Sequence, residues 1–164
     1  MKYFYDTEFH EDGRTIDLIS IGIVAEDGRE YYAINKDADW ARIDQNEWLM
    51  ENVVSQLPEP SERPDLWKTH EQIGDEVHAF LTEDKNTELW NWYGAYDHVV
   101  LCWLWGKMID LPEGLPMFSK DLRAMMTRGQ ASQLPKQEEG VHDALADARH
   151  LLVRYNWFYG ITKD

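Results

Sequence analysis

A chain of 164 residues, 43% apolar and 13% aromatic, is of single-domain size and carries enough apolar material for a real hydrophobic core. No apolar run approaches the roughly 18 residues of a membrane span, and no charged n-region precedes an apolar stretch. Neither a membrane-spanning helix nor a secretion signal is expected, and the reading is of a soluble, cytoplasmic protein with no membrane partner. The net charge of −15 argues against nonspecific binding to long duplexes, which relies on Lys and Arg neutralising phosphates. Acidic side chains are nevertheless what hard cations require, so the charge is compatible with a short or single-stranded end gripped locally. The single cysteine, Cys102, lies in the apolar run 99–105 and reads as a buried, inert thiol.

In chain order, Lys2-Tyr3-Phe4-Tyr5 reads as a buried strand running into Asp6-Thr7-Glu8-Phe9. Residues 17–24 and 30–34 read as two further strands joined by the turn Glu26-Asp27-Gly28-Arg29, completing an antiparallel meander. From Trp40 the pattern becomes helical until Pro58, Pro60 and Pro64 break it into a loop. Thr69-His70-Glu71-Gln72 has the form of a capping box opening a helix through Leu81, with Ile73, Val77, Phe80 and Leu81 on one face.

A fourth strand follows at 87–92, then a helix over 97–108 that is apolar nearly all round and predicts deep burial. Residues 116–119 suggest a short fifth strand, 121–127 a short helix and 143–159 a long terminal helix. The expected fold is α/β: a mixed sheet of about five strands, three antiparallel and then parallel, with helices on both faces. That is the order of an RNase H-like domain, and the chain shows no repeat or linker that would divide 1–164.

Asp6 and Glu8, two apart on a strand, point to the same face, and such a carboxylate pair is a simple start for an octahedral oxygen site. Asp97 opens a helix just after the fourth strand. There it can serve as a cap, or as a ligand at the carboxyl ends of the strands. In His142-Asp143-Ala144-Leu145-Ala146-Asp147-Ala148, small residues surround Asp147 and let a helix press close to the sheet. Five helical residues turn through about 140° relative to a full rotation, so His142 and Asp147 cannot share one helix face. The geometry works if His142 lies in the preceding loop and Asp143 caps the helix.

Asp6-Thr7-Glu8, Tyr96-Asp97, and His142 with Asp147 resemble, as an ordered set, the three motifs of the DEDDh 3′-5′ exonucleases. The longer stretches 3–9, 92–98 and 141–145 resemble the small stand-alone exoribonucleases of the mycobacterial RNase AS type, and that resemblance spans nearly the whole chain. It implies an RNase H-like fold, a homodimer, and release of nucleoside 5′-monophosphates from single-stranded or overhanging RNA 3′ ends, with a preference for adenylate. It also implies two Mg²⁺ ions, replaceable by Mn²⁺. Asp6, Glu8 and Asp147 would hold the first, Asp6 would bridge to the second, and Asp97 would support the second.

His142 would take a proton from the attacking water. Thr7, through its backbone, would meet the 3′ hydroxyl. Phe9 would stack on terminal bases or belong to the core. Tyr93 stands where the wider family has Asn, at the hold on the terminal nucleotide. Two other readings compete: a DNA-directed exonuclease with the same motifs, and a module that binds a nucleic-acid end without cutting it. Lys107, Lys120, Arg123, Arg128 and Lys136 form either a phosphate-facing rim or a solvated surface.

Overall fold

The computed structural model describes residues 1–161 and contains a six-stranded mixed sheet ordered β4-β3-β2-β1-β5-β6. Strands β1 (Lys2–Glu11), β2 (Ile16–Ala25) and β3 (Glu30–Asn35) form the antiparallel meander. Strand β5 (Glu88–Asn91) runs parallel to β1 on its other side. Two-residue strands, β4 (Trp67–Lys68) and β6 (Lys120–Asp121), close the two edges by parallel pairing with β3 and β5. The expected count of about five strands is corrected to six, and the last strand falls just after 116–119 rather than on it. Two residues are too few to show an alternating pattern, so strands of this length leave no periodic signal in the sequence.

Alternation along β1 separates two cores. Tyr3 and Tyr5 face helices α3 (His70–Thr82) and α4 (Ala95–Trp103), packing with Ile73, Val77, Leu81, Val100 and Leu101. Phe4 faces the opposite layer, where it meets Trp90, Ala148, Leu151 and Tyr155 beneath the long helix α6 (Ala144–Tyr159). Helices therefore lie on both faces. Fully burying a side chain of this kind contributes about 1.5–3 kcal/mol, so the two layers together hold the sheet rigidly around β1. A smaller cluster of Ile19, Ile43, Leu49 and Val53 seats α1 (Trp40–Ile43) and α2 (Glu47–Asn52) against the far end of β2.

The helix boundaries follow local chemistry. Thr69 and Gln72 form the capping box of α3, and Asp143 caps α6 by accepting a hydrogen bond from Ala146 N at 2.8 Å. The predicted helix 97–108 is shorter: α4 ends at Trp103, and the chain turns away through Gly106 at φ +101°. Its burial is also one-sided, because Val99 and Trp103 are exposed. The segment 121–127 contains only a single turn, Arg123–Met125, followed by the short helix α5 (Arg128–Ala131).

The residue that positions α6 is Gly22, which pairs with Asp6 across β1 and β2. A Cβ at Gly22 would collide with the backbone of Ala144 and Leu145, so the first turn of α6 rests directly on the strand beside Asp6. Gly22→Ala is expected to lower unfolding stability by about 1–3 kcal/mol, the range for overpacking against backbone. It should also weaken divalent-cation binding, because α6 carries Asp147. Denaturant unfolding with and without Mg²⁺ reads both effects, and an unchanged midpoint would contradict this packing.

Candidate active site

Strand β1 runs seven residues beyond its last pairing with β5, since Phe4 pairs with Trp90 and β1 continues to Glu11 whereas β5 stops at Asn91. The sheet is therefore open next to Asp6, Thr7 and Glu8. Into this gap comes Asp97, in the first turn of α4, whose Oδ1 accepts hydrogen bonds from Thr7 N at 3.0 Å and Thr7 Oγ1 at 2.6 Å. Asp97 is not the N-cap of its helix; Gly94 occupies that position. The Thr7 N–H and hydroxyl are both directed at Asp97, so Thr7 holds a carboxylate in place.

From the opposite face, the start of α6 brings His142 and Asp147. His142 lies in the loop ahead of the helix at φ +69°, a conformation uncommon outside glycine, and its backbone N–H donates to Asp147 Oδ2 at 3.1 Å. The other Asp147 oxygen accepts from Gln137 Nε2 at 2.6 Å. The His142 ring meets the indole of Trp48, from α2, edge-on at 4.9 Å between centroids. Behind this loop, Tyr32 reaches Asp143 with its hydroxyl 3.5 Å from Oδ2. A β-bulge between Glu8 and Phe9 changes the register of β1 against β2 at the edge of the site.

One potential ligand atom from each of Glu8, His142 and Asp147 lies within 4.8 Å of the others. Asp6 and Asp97 flank this trio and act on it electrostatically. Burial raises Glu8 to about 8, helped by the charges of Asp147, Asp97 and Asp143. Burial likewise pushes Asp6 well above the usual carboxylate range, with Asp97, Glu8, Asp147 and Asp143 adding to the rise. Asp97 is raised by burial against the opposing pull of its Thr7 hydrogen bonds, and Asp147 by burial against Gln137 and His142. Partly buried carboxylates that all resist ionisation are a donor set that a hard divalent cation fits, because a bound cation removes the repulsion.

The remaining expected site residues border this centre. Phe9 is half-buried, touches the core under α3 and α4, and meets Tyr96 edge-on at 6.0 Å. It also lines a cleft of about 400 Å³ with Glu8 and Trp48, so it takes part in both core and cleft. Tyr93 is 66% exposed at φ +54°, with its N–H donated to Asp121 and its ring near the Arg123 guanidinium. Of the basic residues in 107–136, Lys136 lines the cleft beside Asp6 and Asp147, whereas Lys120 is tied to Glu88 at 2.6 Å. Sequence reasoning passed over Gly22, Trp48, Gln137 and Arg154. Arg154 alone left a readable signal: it stands seven residues after Asp147, two helical turns along the same face.

Comparison with known proteins gives the family and the fold. The family model of the 3′-5′ exoribonuclease Rv2179c-like domain matches residues 1–156. Two Mycobacterium tuberculosis proteins, the 3′-5′ exoribonucleases Rv2179c (strain H37Rv) and MT2234.1 (strain CDC 1551), are each 48% identical over 157 residues. The match covers 94% of this chain and 91% of theirs. Among solved structures, Escherichia coli Exonuclease I in complex with a dT13 oligonucleotide superimposes with a TM-score of 0.61 at 14% identity. It covers 97% of this chain, which spans 42% of that one. Schizosaccharomyces pombe Pop2p, in its Mg²⁺- and Mn²⁺-bound form, gives 0.60 at 12% identity over 99% of this chain and 86% of its own. At these identities the two structures share the fold.

The raised carboxylates fix a pH dependence. A carboxyl group whose folded pKa exceeds its unfolded value stabilises the fold at low pH, and that contribution is lost as pH rises through the folded value. For Glu8 the window runs from 4.5 to about 8. In EDTA, the thermal midpoint should therefore fall across this window, and added Mg²⁺ or Mn²⁺ should raise it more at the upper end than at the lower. A metal-induced rise that is equal at both ends would count against clustered, proton-holding carboxylates.

Proposed function

This chain belongs to the Rv2179c-like 3′-5′ exoribonuclease family and is a 3′-5′ exoribonuclease; we propose that it trims single-stranded or overhanging RNA 3′ ends with two divalent cations held by Asp6, Glu8, Asp97 and Asp147. The observation that carries this reading is the grouping of Glu8, His142 and Asp147, close enough to share a ligand, next to Asp6, which lines one cleft with His142 and Asp147, and within electrostatic reach of Asp97. Mg²⁺, or Mn²⁺ in its place, would supply Lewis-acid stabilisation of the entering and leaving oxygens of an in-line displacement. Glu8, Asp147 and Asp6 would hold the first ion, and Asp6 and Asp97 the second.

The chain's own groups provide the rest. A ring nitrogen of His142 accepts the proton of the attacking water as its oxygen bonds to phosphorus and the bond to the upstream 3′ oxygen breaks. The departing 3′ oxygen takes a proton from solvent water, so the products are a nucleoside 5′-monophosphate and an RNA one nucleotide shorter with a free 3′ hydroxyl. Trp48 packs edge-on against the His142 ring, and the Asp147 carboxylate fixes the backbone from which that ring projects. Thr7 aims Asp97 from the far face of the sheet. Phe9 and Trp48, in the cleft next to Glu8, offer apolar surfaces on which terminal bases stack, and Tyr93 offers a further exposed ring. Base stacking on aromatics is worth about 1–3 kcal/mol per base, which matters in a chain whose overall charge repels RNA.

The whole chain acts in this reading as one exonuclease domain, in agreement with the family match over 1–156. No helix among the described residues is long and apolar enough to cross a membrane, and a cytoplasmic setting suits the buried free thiol of Cys102. The homodimer belongs to the same reading. Exposed apolar side chains such as Ile109 and Phe118 are the kind of surface that a second copy would cover.

The test uses 5′-labelled oligoribonucleotides of each base and the matching DNA, with Mg²⁺, Mn²⁺ or EDTA. Shortening from the 3′ end of RNA is expected, abolished by EDTA and by Asp6→Ala. His142→Ala should reduce kcat by about 10²–10⁴-fold, the range for loss of a general base. Adenylate preference would appear as faster trimming of oligoadenylate. Equal trimming of DNA would defeat the RNA specificity, and metal-dependent binding without cleavage would replace the enzyme with a binding module.

A further inference from the structure

Next to Asp6 and Asp147 lies a cleft of about 570 Å³ whose walls include Trp92, Lys136, Gln137, Leu151 and Arg154. Asp147, Leu151 and Arg154 form one stripe of α6, and helical side chains lean toward the N-terminus of their helix. The Arg154 guanidinium therefore reaches back along α6, and it lies over the indole of Trp92 at 4.6 Å. Trp92 follows the end of β5 and extends the sheet face that carries Phe4 and Asp6.

What sets Arg154 apart is that an unclaimed donor is buried, whereas Arg14 and Arg128, which also enter no ion pair among the described residues, are exposed. Arg29, Arg42, Arg63 and Arg149 each close on a carboxylate. Arg154 enters no ion pair among the described residues, and its buried Nε has no hydrogen-bond partner. Burial lowers its pKa, while the charges of Asp147 and Asp6 raise it. A partly desolvated cation without a bonded anion is costly, and a structure that keeps one beside an open cleft holds it ready for an anion from outside. The planar guanidinium fork matches phosphate oxygens in pairs, and stacking on an indole holds that fork in one plane.

We propose that Arg154, held flat against Trp92, binds an RNA phosphate in this cleft, belonging either to the nucleotide being released or to the chain upstream of it. The proposal rests on the exoribonuclease reading and adds to it the group that grips the polyanion. It accounts for how a chain of net charge −15 holds RNA: one desolvated cation, screened less by salt than a surface patch, stands at the point of reaction.

The experiment compares wild type, Arg154→Met and Arg154→Lys, all full-length and with Mg²⁺. It measures KM and kcat on single-stranded RNA, Kd for adenosine 5′-monophosphate and for adenosine by calorimetry, and Mn²⁺ affinity. Arg154→Met should raise KM about 10- to 100-fold, the scale of a lost charge-assisted hydrogen bond, and leave Mn²⁺ affinity within about twofold. Arg154→Lys, which keeps the stem and charge but loses the fork, should shift KM in the same direction by less. If Kd for the monophosphate rises while that for adenosine does not, the phosphate is that of the released nucleotide. If both stay fixed and KM rises only on RNA longer than a dinucleotide, it is the upstream one.

Unchanged KM and monophosphate binding in both variants would overturn the proposal. So would a fall in Mn²⁺ affinity with KM unchanged, which would make Arg154 a support for Asp6 and Asp147. Wild type that binds RNA without cutting it would sink the exoribonuclease reading separately, because the calorimetric comparison does not depend on turnover.

Discussion

Burial of four carboxyl groups, Asp6, Glu8, Asp97 and Asp147, beside one another is the constraint around which the structure is arranged. Two like charges about 4 Å apart repel by about 4 kcal/mol at an effective dielectric constant of about 20, comparable to a large part of a domain's net stability. Nothing in the local chain would choose to bring these groups together. They are assembled by three unrelated contacts: the pleat of β1, the Thr7 hydrogen bonds that draw Asp97 through the gap past β5, and the seating of α6 on Gly22. Each contact is anchored by a hydrophobic layer on one face of the sheet or the other. Burial raises all four carboxyl groups, and the charges of their neighbours add to the rise at Asp6 and Glu8.

Much of this was legible because the long elements carry strong periodic signals. The meander, the capping box at Thr69, the loop position of His142 and the cap at Asp143 could all be read from residue order. What escaped lay where signal is physically weak. Strands β4 and β6 are two residues long, and the apolar run after Asp97 hides a helix end that depends on the positive φ of Gly106. Small residues around Asp147 announced a close helix-to-sheet approach. Its other half, Gly22, is a single glycine in an apolar strand with no mark of what it faces. Thr7 could not be assigned either, because its partner is ninety residues away and reaches it through a gap created by the early end of another strand.

The two solved structures at 12–14% identity share the fold, and one of them holds a DNA oligonucleotide. RNA as the substrate rests instead on kinship at 48% identity across nearly the whole chain. This division is physically reasonable. A carboxylate cluster and a general base, the role proposed for His142, act on the phosphodiester, which DNA and RNA share, whereas choice between the two depends on contacts to a 2′ hydroxyl. The fold supplies the first set of groups from its central strand and two helix starts. The second set comes from loops and side chains that vary while the fold persists.

Backbone strain marks the same place as the charge. Among the described residues, three other than glycine have positive φ: Asn86, Tyr93 and His142. Two of these border the candidate site, each immediately before a helix start, and in both the N–H is bound by an aspartate. Tyr93 N donates to Asp121 Oδ1 at 3.2 Å and His142 N to Asp147 Oδ2 at 3.1 Å. Conformations of this kind cost about 1–3 kcal/mol and persist only where surrounding contacts over-determine them. Asp147 thus has two tasks, one oxygen fixing the turn that presents His142 while the carboxylate as a whole belongs to the cluster that a cation would neutralise. Through that single side chain, the position of the His142 imidazole and the charge of the site are coupled.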